Sequence, residues 1–185
     1  MNKTENFKTF FIVEDNRIFA KTVVKGLEKE FPDFMVKSFS TGEEMLSYME
    51  TNPDESPVIF ILDYYLNSEV PDAMDGGEIL AKLRKKYTGR VNDMRVIMLT
   101  SSTEIKQAVE LLQKGAFQYI VKDEVFFDTL KPTIMQILDY QAMKQQQKIS
   151  KDKAEFYKKQ LFYAKAAGAV MILAVIGLII WLLLK

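Results

Sequence analysis

One pattern constrains the fold of this chain more than any other. A short apolar run, a polar turn and a stretch of helical spacing recur five times in order. The sequence predicts strands over residues 10–13, 34–39, 58–62, 94–99 and 117–121. It predicts helices over 17–30, from a cap at Ser40 or Thr41 to Glu50, over 76–87 and over 103–114, with a fifth helix after the last strand. The run Val58-Ile59-Phe60-Ile61-Leu62 has no polar alternation, so its strand is buried on both faces. Five such units imply an α/β fold: a five-stranded parallel sheet, doubly wound, with helices on both faces. The chain has 185 residues and is 48% hydrophobic, enough for one packed domain and an appendage.

Four polar residues fall where four of those strands end: Asp15, Asp63, Thr100 and Lys122. Open α/β sheets bind their ligands at the C-terminal ends of the strands. Glu14 adds a third carboxylate. Three carboxylates together repel one another unless a hard divalent cation such as Mg²⁺ binds among them. An Asp in such a group can act as nucleophile toward a phosphoryl group. A lysine and a hydroxyl beside it can neutralise and hydrogen-bond the transferred group. The chain has no histidine and no cysteine. That excludes a Ser-His-Asp triad, a His- or Cys-ligated zinc site, a disulfide framework and a phosphohistidine of its own.

The acidic pair in VEDN (Glu14, Asp15), FILD (Asp63), MLTSS (Thr100) and GAFQYIVK (Tyr119, Lys122) occur in the order found in a known family. Over about residues 8–140 the chain resembles the receiver domain of two-component response regulators, a flavodoxin-like fold. The resemblance implies that Asp63 accepts phosphate in trans from a histidine kinase or histidine phosphotransfer protein. It implies that Glu14, Asp15, Asp63 and the Tyr65 backbone carbonyl hold Mg²⁺, Glu14 through water. It makes Thr100 and Tyr119 a switch pair, with the ring turning inward on phosphorylation. The chain departs from the family at three places. Lys122 is followed by Asp123 and not by proline, the segment between Asp63 and MDGG is about five residues longer, and the bulky Tyr65 stands two residues after Asp63.

Each of these residues also has an ordinary structural reading when taken alone. Asp63, Glu14 and Asp15 can cap a helix or sit in a turn, and Thr100 can cap the helix after it. Lys122 can be a solvated lysine, and Tyr119 a core aromatic. The co-occurrence at sister strand ends favours the functional reading. The long loop 64–75 reads as a surface elaboration or a partner site.

The last part of the chain is different in kind. Residues 166–184 are 19 consecutive uncharged residues, a helix of roughly 28 Å, close to the hydrocarbon thickness of a bilayer. Lys165 and Lys185 bracket the run and Trp181 stands near its far end, as interfacial anchors do. Residues 141–185 carry eight lysines against two acids, whereas residues 1–140 carry 17 basic and 23 acidic residues. An acidic domain before a basic stretch is not the pattern of a nucleic-acid binder. The lysines before the span keep the domain on the cytoplasmic side, and they can also bind anionic headgroups. Met1–Lys8 has no apolar targeting core. Ala142, Ile149, Phe156 and Tyr163 recur every seven residues without matching second positions, half of a coiled-coil signal.

The expected organisation is a receiver over 1–140, a basic helical linker over 141–165 and one transmembrane helix over 166–184. The chain is expected to be a tail-anchored, single-pass protein of the cell membrane, without a DNA-binding output domain. Its output then runs through a membrane-protein partner, through a homodimer or by draining a relay. The alternative is a pseudo-receiver that scaffolds at the membrane without phosphotransfer. An aspartyl-phosphate hydrolase is disfavoured, because such enzymes usually place a second Asp where Tyr65 stands.

Overall fold

The computed structural model describes residues 8–53, 55, 57–66, 70–86 and 95–184. Of the segments expected above, residues 1–7, Met94, Tyr87, Lys185 and residues 67–69 of the long loop lie outside them. The elements run β1 Thr9–Val13, α1 Arg17–Glu30, β2 Met35–Phe39, α2 Gly42–Thr51, β3 Pro57–Asp63, α3 Gly76–Lys86, β4 Arg95–Thr100, α4 Ile105–Gln113, β5 Gln118–Val121 and α5 Phe126–Leu183. The strands form one sheet in the order β2-β1-β3-β4-β5, and every pairing is parallel. The strand that ends in Asp63 is therefore central, with β1 on one side and β4 on the other.

The continuous apolar runs have the burial expected of a sheet covered on both faces. All five residues of β1 are buried, as are Ile59 to Asp63 of β3 and Val96 to Thr100 of β4. Phe11, Val13, Phe60, Leu62, Val96 and Met98 share one core with residues of α2, α3 and α4. Their alternates Phe10, Ile12, Ile59, Ile61, Ile97 and Leu99 are equally buried, so by the two-residue period of a strand they fill the opposite face. α1 and α5 supply buried apolar side chains outside the first core, among them Val23, Leu27, Leu130 and Ile134.

Local signals explain where the helices begin and end. Asn16 caps α1, its side chain accepting from the N–H groups of Ile18 and Phe19, each at 3.1 Å. Of the two candidates for α2, Thr41 is the cap, accepting from Glu44 N–H at 3.2 Å. Asp75 and Glu78 cap α3 reciprocally, at 2.8 and 3.1 Å. α4 starts at Ile105, two residues later than expected, because Glu104 has extended backbone and occupies the cap position. It ends in a Schellman turn: Ala116 N–H donates to Leu111 O and Gly115 N–H to Leu112 O, with Gly115 at φ 101°. β2 starts at Met35 because Phe34 N–H is turned back onto Phe31 O at 3.0 Å.

The chain divides into two compact units, residues 1–137 and 138–185. In the first, Phe126, Leu130, Thr133, Ile134 and Ile137 of α5 are buried. In the second, the helix is exposed almost throughout, and its apolar part is long and apolar enough to cross a membrane by length and composition.

Candidate functional site

Parallel pairing places the ends of β1, β3 and β4 side by side. Val13 pairs with Leu62, and Asp63 with Leu99. The next residues of β1, Glu14 and Asp15, therefore stand beside Asp63. All three are buried, and one carboxylate oxygen from each lies within 4.8 Å of the other two. β5 pairs with β4 so that Thr100 faces Val121, and Lys122 N–H donates to Thr100 O at 2.7 Å. This carries Lys122 to the same edge. Its Nζ lies 2.6 Å from Glu14 Oε2 and 2.6 Å from Asp63 Oδ2. The ammonium also lies 4.7 Å from the centroid of the Phe19 ring, which shields it on the α1 side.

The charge balance of the cluster is unfavourable as it stands. Glu14 and Asp63 share the one Lys122 ammonium, so this pair keeps one negative charge in excess when both are ionised, with Asp15 beside it. Burial pushes the Glu14 carboxyl up to about 7, opposed by its hydrogen bond to Lys122 and reinforced by the charge of Asp63. Burial also raises Asp63, against the pull of Lys122 and of the Tyr65 and Tyr64 N–H groups. An all-oxygen donor set, clustered and over-charged, fits a hard divalent cation such as Mg²⁺.

The linkage has a definite sign. The folded-state affinity of Glu14 for a proton is raised from 4.5 to about 7. Its contribution to stability is complete below pH 4.5 and is lost as pH rises through about 7. In a chelating buffer, the thermal midpoint is expected to fall between pH 5 and 8. Mg²⁺ competes with that proton, so its affinity is expected to rise across the same window. Melting curves with and without Mg²⁺ check both; a Mg²⁺ affinity flat with pH would contradict the assignment.

The other expected residues take their places around this group. The Thr100 side chain is fully buried, its hydroxyl accepting from Ser102 N–H at 3.2 Å. Tyr65 N–H donates to Asp63 Oδ1 at 3.3 Å, and its ring is 46% exposed, edge-on to Tyr64. Tyr119 is half-buried against the core, and its hydroxyl donates to Ser102 O at 2.7 Å, which ties β5 to the turn after Thr100. Among the described residues no peptide bond is cis, that between Lys122 and Asp123 included.

Two contributors are not evident from spacing. Phe19 covers the lysine, although its sequence context is that of an ordinary helix residue. Gly76 begins α3 against the end of β3: a Cβ there would overlap the Asp63 carbonyl oxygen and stand 2.8 Å from Met98 Cε. The glycine pair Gly76-Gly77 is the sequence signal for that approach.

The family model of the response regulator receiver domain matches residues 10–133. The chain belongs to this family. Solved receiver structures superpose on it with the same fold. A CheY-like receiver domain protein from Methanospirillum hungatei is 27% identical, with a TM-score of 0.59 over 74% of this chain and 98% of its own. A signal receiver domain from Vibrio parahaemolyticus is 24% identical, with a TM-score of 0.61 over 75% and 95%. A phosphorylated cyanobacterial phytochrome response regulator is 21% identical, with a TM-score of 0.56 over 69% and 89%. No curated protein matches the chain. The doubly wound receiver fold expected from the sequence is therefore the fold of the protein, and Asp63 stands at the end of its central strand.

Proposed function

We propose that this receiver takes a phosphoryl group onto Asp63 from the phosphohistidine of a kinase or phosphotransfer protein, and that it does so held at the cytoplasmic face of a membrane. One observation carries the reading. Glu14, Asp15, Asp63 and Lys122, drawn from three strand ends, meet in one buried cluster. An Asp63 oxygen forms the new P–O bond as the donor's P–N bond breaks, and the electron pair stays on the imidazole nitrogen. Lys122 is placed to follow the charge from the carboxylate to the transferred group. The Thr100 hydroxyl accepts from Ser102 N–H and keeps its own proton to donate to the transferred group, and Tyr119 reaches the same turn through Ser102 O. Glu14, Asp15 and Asp63 would hold Mg²⁺, together with the Tyr65 carbonyl. When bound, the ion supplies charge neutralisation to the transferring phosphoryl oxygens.

Mg²⁺-dependent labelling by a small phosphodonor tests the reading. A chain that binds Mg²⁺ but takes no label would be a scaffold that retains the site without using it. The acyl phosphate is expected to be handled as an acceptor's product, not as an enzyme's turnover intermediate, since Tyr65 stands where a hydrolase would hold an acid. A bulky side chain two residues after the acceptor would instead crowd the approach of water to Asp63. Tyr65→Ala is expected to shorten the lifetime of the phosphorylated state several-fold; an unchanged decay rate would remove this role.

The tether rests on residues 166–184, an uncharged helical run without burial, preceded by lysines. Deleting that run is expected to move the protein from the membrane to the soluble fraction of cells while Asp63 remains labelled. Retention in the membrane fraction would argue for attachment through another element. The output is then read by a membrane-proximal protein or a second copy.

A further inference from the structure

The structure assigns a lipid-facing side to the helix ahead of the span. We infer that the lysine face of residues 144–165 is a binding surface for anionic phospholipid headgroups; this rests on the membrane reading above. The segment belongs to one unbroken helix, so its residues can be placed around an axis at 100° each. Seven lysines lie between residues 141 and 165. Six of them, Lys144, Lys148, Lys151, Lys158, Lys159 and Lys165, fall within about 120° of arc. Lys153 is on the far side. Glu155 lies within the lysine face and Asp152 at its edge, so the face keeps a clear positive excess.

A solvated linker has no physical reason to sort its charges by face. Packing of the opposite face against a second copy does not explain the sorting either. That opposite side carries Ala142, Ile149, Phe156 and Tyr157, but Gln146, Lys153 and Gln160 interrupt them along its centre, which leaves no continuous dry seam. A planar layer of negative charge does explain it, because a tilted helix presents one side to such a layer. Lys165 adjoins the apolar run, and Lys159 and Lys158 lie about 10–12 Å before it along the axis. That is within the headgroup zone and one screening length of it. The remaining three extend the same face in the direction a tilt would lower. Phe162 supports the assignment: it is 68% exposed, yet it lies in the middle of the lysine face. An apolar ring among cations, one turn from the span, is accounted for by burial between headgroups and acyl chains.

The chain offers two clean probes, for it has no cysteine and a single tryptophan, Trp181. The full chain would be reconstituted in nanodiscs of phosphatidylcholine, with or without phosphatidylglycerol. Trp181 quenching by brominated acyl chains reports the span. A dye on Glu155→Cys reports the lysine face and a dye on Lys153→Cys the far face, each read by quenching from headgroup-labelled lipid. In anionic discs the Glu155→Cys dye is expected to be quenched roughly two-fold or more than the Lys153→Cys dye, a difference lost in high salt. The difference should also vanish when Lys148, Lys151, Lys158 and Lys159 are changed together to Gln. Trp181 quenched with equal quenching on both faces would overturn the lipid surface, leave the span standing and reassign the lysines to an acidic protein surface. Trp181 unquenched would overturn the anchor, and the lipid surface with it.

Discussion

Asp63→Asn is expected to abolish phosphoryl uptake while leaving the protein at least as stable in metal-free buffer. Asparagine keeps the shape of the side chain and removes the nucleophilic oxygen, so labelling by a small phosphodonor should fall to background. The stability half of the prediction follows from the electrostatics. Asp63 is buried beside Glu14 and Asp15, and its proton affinity is raised by that burial. Replacing it with a neutral group relieves repulsion, and Lys122 keeps Glu14 as a partner at 2.6 Å. The thermal midpoint should therefore stay level or rise without Mg²⁺, and the stabilisation given by Mg²⁺ should shrink. Undiminished labelling would place the acceptor elsewhere. A clear drop in the metal-free midpoint would show that the Lys122–Asp63 contact outweighs the repulsion.

The second large effect concerns a residue with no chemistry of its own. Gly76→Ala is expected to destabilise the domain by about 3 kcal/mol, the upper end of overpacking costs. At an unhindered helix position, alanine would be favoured over glycine by about 1 kcal/mol. Here the added methyl meets the Asp63 carbonyl oxygen, and 3.0 Å away the carbonyl carbon, with Met98 Cε at 2.8 Å. The methionine can move, but the backbone that carries the acceptor cannot move without displacing it. Phosphoryl uptake should fall together with the urea midpoint. A raised midpoint would mean that α3 has room to step away from β3, and would remove the close approach as a constraint on the site.

Much of this was legible in the sequence, for reasons that particular residues make plain. The run Val58–Leu62 lacks alternation because its strand is central, and the carboxylate after it has only the ligand edge to occupy. Asn16, Thr41 and Gly115 are residues whose side chain, or lack of one, fixes a helix end locally, so α1, α2 and α4 were readable to within a residue or two. The start of α4 differs from the sequence reading because Glu104, not a favoured capping residue, takes the cap position with extended backbone and no side-chain cap bond. What stayed hidden depends on distance along the chain. The pair formed by Lys122 with Glu14 joins residues 108 apart, and nothing near either residue signals it. The raised proton affinity of Glu14 follows from that burial and pairing, not from its own neighbours in sequence. The continuation of α5 through Pro132 to Leu183 is visible only in part, since the sequence lacks Gly and Pro from Thr133 to Ala167 but has Pro132 before that stretch and Gly168 and Gly177 after it.

The all-parallel register has one more consequence, for the way this protein comes into being. Parallel neighbours cannot be joined by a tight hairpin, so each pairing closes a long loop and pays its entropy before the contact rewards it. The cluster draws Glu14 and Asp15 from the first strand, Asp63 from the third and Lys122 from the fifth. No partial fold contains it. A nascent or half-unfolded chain lacks the assembled cluster, so uptake at the proposed acceptor Asp63 is expected only once all three strands are in place.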